Sequence, residues 1–73
     1  MISQQNQADI TYIADELNER TGEKVRVNSI RLSLSQQNAG RLIAVVEIGN
    51  SIVAGAGASI NQLIDNIYER YTS

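Results

Sequence analysis

The residues of this chain that could do chemistry are few, and the first of them lie in Gly55-Ala56-Gly57-Ala58-Ser59. A glycine-rich turn entering a capped helix presents free backbone amides and the positive end of the helix dipole, an arrangement that holds phosphates and carboxylates. Gly57, Ala58 and Ser59 are therefore a candidate anion site. A plainer use fits the same residues: glycine lets the chain turn tightly and pack the helix on the sheet, while Ser59 and Gln62 form a capping box that satisfies the helix's own donors. Neither glycine-rich nucleotide signature is matched, since the lysine of the phosphate-binding loop is missing. Asp15, Glu16, Glu19 and Glu23 form a second group, an acidic face that is either solvated or docks on a basic groove. Arg26, Arg31 and Arg41 are the third, able to touch phosphates.

Catalysis has little to work with. The chain contains no histidine and no cysteine, which removes the commonest general base, the commonest metal ligands and every Ser-His or Cys-His pair. No pair of Asp, Glu, Tyr or Ser is marked by spacing. The expectation is no enzyme, no cofactor and no metal. With five Arg, one Lys and eight carboxylates the net charge is -2, which argues against non-specific attraction to nucleic acid.

The elements that must position these residues follow from periodicity. Ile10, Ile13, Ala14 and Leu17 share one helical stripe, predicting a helix over about residues 6–21 with Asn6 as N-cap, a Glu16–Arg20 pair at i, i+4, and Gly22 as left-handed terminator. Tyr12 falls on the far side, where it is exposed. From Lys24 the period becomes two: Val25 and Val27 alternate on one parity, Ile30, Leu32 and Leu34 on the other. A strand keeps one face only by keeping its parity, so a bulge or a break is predicted near Asn28-Ser29. Gln36 to Gly40 is a turn, Arg41 to Ile48 a second strand, Gly49-Asn50 a tight hairpin, and Ser51 to Ala56 a third strand. Ser59 then opens a helix carrying Ile60, Leu63, Ile64, Ile67 and Tyr71.

The predicted fold class is α+β, ordered α-β-β-β-α, with a three-stranded antiparallel sheet and two helices packed on one face. At 73 residues the whole chain, 1–73, is one small domain with a modest core, for which self-association is a natural supplement. The opening Met-Ile-Ser-Gln-Gln-Asn-Gln lacks the basic and apolar regions of a secretion signal, and no apolar run approaches the ~20 residues of a membrane span. A cytoplasmic protein without membrane contact is expected.

That element order, with Gly55-Ala56-Gly57-Ala58-Ser59 opening the last helix, resembles the double-stranded-RNA-binding domain over about residues 8–71. The resemblance implies the fold; its implied RNA contacts are missing. The family's basic cluster would fall on Ile60, Asn61 and Ile64, none of which is basic, and its Gly-Pro-x-His loop would fall on Gln36 to Gly40, which has neither Pro nor His. Weak binding of duplex RNA, or of a phosphate or nucleotide at the second helix's N-terminus, is the alternative expectation.

Two apolar surfaces remain. On the second strand Leu42, Ala44, Val46 and Ile48 make one face, yet Ile43 and Val45 on the other face are apolar too. The hairpin sets Ile52 and Ala54 beside Glu47 and Val45, so Ile43, Val45, Ile52 and Ala54 form a patch where a two-layer fold calls for polar residues. On the last helix the apolar stripe spreads to Ile64 and Tyr68, either as a contact rim or as cover for a core lacking Phe and Trp. The leading expectation is a non-catalytic interaction protein, a homodimer or the partner of another protein. Its size and acidity are those of phage-encoded inhibitors such as anti-CRISPR proteins.

Overall fold

The computed structural model describes residues 4–32 and 40–73, with side chains from Gln7 onward. Helix α1 spans Gln4–Thr21, strands β1, β2 and β3 span Val25–Leu32, Leu42–Ile48 and Ser51–Gly57, and helix α2 spans Ile60–Thr72. The strands form one antiparallel sheet in the order β1-β2-β3, with both helices on one face. The α-β-β-β-α expectation is met. Ser33 to Ala39, which include the end of the predicted first strand and most of the following turn, lie outside the described residues.

Local chemistry accounts for each element. Val27 pairs with Val46 and Ser29 with Val45, leaving Asn28 as the extra residue of a β-bulge. The bulge puts Val25 and Val27 on the same face as Ile30 and Leu32 despite their opposite parity. Ile48 pairs with Ser51 across the two-residue turn Gly49-Asn50, where Gly49 takes φ +60°, a value that glycine adopts without the Cβ penalty. Gly22 ends α1 at φ +71°, its amide donating to the Asn18 carbonyl at 2.8 Å. The start of α1 differs from expectation: Asn6 lies inside the helix, which begins at Gln4.

The core is Ile13 and Leu17 from α1, Ala44, Val46 and Ile48 from β2, and Leu63, Ile64 and Ile67 from α2. On β3 the inward positions below Val53 are Gly55 and Gly57, and α2 rests directly on them. A Cβ at Gly57 would stand 2.5 Å from the Leu63 amide nitrogen and 2.9 Å from two further backbone atoms of α2, whereas one at Gly55 would stand 2.6 Å from Cγ1 of the Ile67 side chain. Backbone cannot yield as a side-chain tip can, so the two glycines are unequal. Gly57→Ala is expected to cost about 3 kcal/mol or more, at or above the upper end of overpacking penalties, and Gly55→Ala about 1–2 kcal/mol. Urea denaturation checks the order; equal losses would contradict the packing described.

Candidate functional site

The face of the sheet turned away from the helices is built in three rows by the strand register. Arg31, Ile43 and Ala56 form one, Ser29, Val45 and Ala54 the next, and Arg26, Glu47 and Ile52 the third. Ile43 and Val45 on the central strand are half-buried by their neighbours, Ala54 is exposed, and Ile52 is 71% exposed. The shortest dimension of the molecule, 18 Å, is that of one helix layer on one sheet, so among the described residues nothing stands over this face. Ile43, Val45, Ile52 and Ala54 thus share one open surface, as the pairing arithmetic requires.

The edges of the sheet are better protected than its face. In a two-residue hairpin the even positions of β3 turn their backbone groups away from β2, and the Ala56 carbonyl among them accepts a hydrogen bond from Asn66 Nδ2 of α2. On the other edge, β1 carries the bulge at Asn28 and the charged Arg26 and Arg31, both devices that oppose strand addition.

Ile64 must be withdrawn from the contact surface. It is only 1% exposed and belongs to the core, because α2 packs against α1 as well as the sheet and needs a stripe wide enough for both. Tyr68, at the edge of that stripe, is half-buried beneath Arg20, whose guanidinium lies 5.7 Å from the ring centroid. Arg20 does not pair with Glu16 as the helical spacing suggests. It donates to Asp65 of α2 at 2.8 Å. That bond is the main cause lifting the Arg20 pKa above its ordinary value, while burial opposes it. Tyr12, exposed as expected, reaches across to donate to Asn61 Oδ1 at 2.9 Å. Tyr12, Glu16 and Arg20 follow one another at i, i+4, i+8 on α1, and the first and last of them bond to α2, making a polar seam outside the core.

The acidic face shrinks accordingly. Glu16 is half-buried in the seam, and Glu23 lies beyond the end of α1 with its carboxylate against Gly49 of the hairpin. Asp15, Glu19 and Glu23 are exposed, but only the first two stand on α1. Among the described residues no group of three carboxylates is placed to hold a metal, and no helix is long and apolar enough to cross a membrane.

The candidate anion site is largely spent on the fold. Gln62 N donates to Ser59 Oγ at 3.2 Å, while Gln62 Oε1 accepts from the Ala58 amide at 2.6 Å rather than from the Ser59 amide of a standard capping box. Gly57 is buried against α2, so two of the three residues have no free donor or no open side. Arg26 and Arg31 occupy the opposite face of the sheet from α2, and therefore make no joint phosphate surface with its N-terminus.

Two isoleucines separate core from surface. Ile64→Ala is expected to cost about 2–5 kcal/mol, and Ile52→Ala to stay within about 0.5 kcal/mol of the parent; thermal unfolding of both variants checks this, and a large loss at Ile52 would mean that it is covered. Compared with known proteins, the chain matches no family, no curated protein and no solved structure.

Proposed function

We propose that the chain is a non-catalytic protein-interaction module whose working surface is the open face of its sheet. The observation that carries this reading is Ile52, 71% exposed and contiguous with Ile43, Val45 and Ala54. Branched side chains on a central strand are favoured by sheet propensity alone. Ile52 has no such explanation, since it stands beside a hairpin turn on an edge strand. A clustered apolar patch on a small domain is the common signature of a contact surface.

The size of the face limits what it can do unaided. Three strands about 4.8 Å apart and seven residues at about 3.4 Å give a footprint of roughly 300 Å², against about 800 Å² per partner in a stable specific interface. The association is therefore weak or draws in the charged rim. A second copy of the chain or a different protein fits this geometry. Small size and a net negative charge agree with a protein that acts by covering another protein's surface, in the manner of phage-encoded inhibitors.

Substituting Ile52→Lys together with Ala54→Lys tests the reading. Both positions are exposed, so the midpoint of thermal unfolding should move by no more than a few degrees. Association is expected to be lost, read as concentration-dependent mass by light scattering at high micromolar protein or as retention of a partner on the immobilised chain. A parent protein that is monomeric at every concentration and retains nothing would sink the proposal.

A further inference from the structure

We infer that the open face receives an acidic protein segment, one that carries carboxylates beside aliphatic side chains. The inference rests on the reading of this face as a docking surface and goes on to name its partner's chemistry. Charge in this molecule is sorted by layer. Residues 24–57, which make the sheet, carry Lys24, Arg26, Arg31 and Arg41 against the single carboxylate Glu47, whereas the rest of the chain carries seven carboxylates against Arg20 and Arg70.

The arginines are placed where the apolar patch ends. Arg26 and Arg31 stand on the open face along β1. Arg41 precedes β2 on the alternation that includes Ile43, Val45 and Glu47. Arg70, from the last turn of α2, comes round the β3 edge to line a shallow pocket of about 200 Å³ with Ile43, Ala54 and Ala56. Arg41 and Arg70 together line the adjoining pocket of about 310 Å³, with Ala56, Asn66 and Glu69. Among the described residues the one ion pair is Arg20 with Asp65, so Arg26, Arg31, Arg41 and Arg70 have no carboxylate within bonding distance. Guanidinium forks bind carboxylates in a bidentate manner, and their stems cover apolar surface. An aliphatic floor with an unpaired arginine rim is complementary to an acidic, aliphatic segment.

Other occupants fit less well. A symmetric dimer would appose two copies of the same net-positive face, which like-charge repulsion opposes. Single-stranded nucleic acid uses aromatic side chains for stacking, and the three rows of this face contain none. Glu47, in the row of Arg26 and Ile52, repels carboxylates and phosphates alike, so it does not separate an acidic segment from a phosphate; the vesicle and RNA measurements do.

The experiment is fluorescence anisotropy with a short labelled peptide of alternating Glu and Val, compared with peptides of alternating Lys and Val and of alternating Glu and Ser. Phosphatidylserine vesicles, an RNA duplex and light scattering on the protein alone run in parallel. The Glu-Val peptide is expected to bind best, to weaken with added salt, and to lose about tenfold or more in affinity when Arg41→Glu and Arg70→Glu are combined. Circular dichroism confirms that each variant is folded. Equal or better binding of the Lys-Val peptide, still abolished by Ile52→Lys, overturns the acidic partner and keeps the docking face. No peptide binding with a dimer that Ile52→Lys dissociates assigns the face to a second copy, and binding confined to vesicles or RNA assigns it to phosphate; either overturns the inference. Silence in every arm removes both the inference and the docking face.

Discussion

Two missing side chains set the geometry of this molecule. At Gly55 and Gly57 the inner face of β3 has no Cβ, and the backbone of α2 at Leu63 and the side chain of Ile67 fill the space. The helix therefore sits lower on the sheet than side-chain interdigitation would allow, close enough to reach over the strand's outer edge. Asn66 takes the Ala56 carbonyl and Arg70 comes round to the far side. With α2 drawn onto β3, room remains for α1 beside it over β1 and β2, and the core closes from Ile13 and Leu17. The Tyr12–Asn61 and Arg20–Asp65 bonds fasten the two helices outside that core. Exposed contacts of this kind contribute about 1 kcal/mol or less each, so they fix alignment more than stability.

The same placement produces the open face. A sheet presents alternate residues to opposite sides, and one layer of helices covers only one of them. The chain has no Phe or Trp, and among the described residues the eight buried hydrophobic side chains are all aliphatic. A small two-layer domain stabilised this way gains from any further apolar contact that a partner brings, because burial contributes about 25 cal/mol per Å². Ile43 and Val45 already collect part of that contribution from their neighbours within the sheet. Ile52, 71% exposed, collects much less.

Much of this was legible in the sequence because strand parity and helix period are local rules. The parity flip between Val27 and Ile30 called for a bulge or a break, and the structure has the bulge, at Asn28. Gly49-Asn50 set the hairpin register, and the register fixed which residues share the open face. What was hidden depended on distance across the fold. Arg20 had Glu16 one turn away and chose Asp65, forty-five residues on, since the approach of α2 is not encoded within α1. Ile64 belonged to an apolar stripe too wide for one neighbour, and periodicity counts residues in a stripe without saying how many neighbours the helix has. Gly-x-Gly was legible both as an anion-binding loop and as a place where the helix packs closely on the sheet; the packing is what the structure shows, but how close it is could not be read, because the atoms that occupy the space come from a helix later in the chain.

The contrast between edges and face bears most directly on function. A three-stranded sheet has two edges, and an exposed edge is ordinarily the more adhesive surface, since its unpaired backbone groups pair with any extended chain. Here one edge is bulged and charged, and the other has a carbonyl already bonded to Asn66. Protection of that kind suppresses indiscriminate strand pairing while leaving the face free. A face binds through side chains, so it discriminates among partners by shape and charge, which an edge recognising backbone alone cannot do. On the proposed docking face the arginines at the ends of the apolar rows would supply the charge part of that discrimination, with Glu47 the one carboxylate set among the rows. Edge protection and charge layering are independent features of the chain, and both set the open face apart from the rest of the surface.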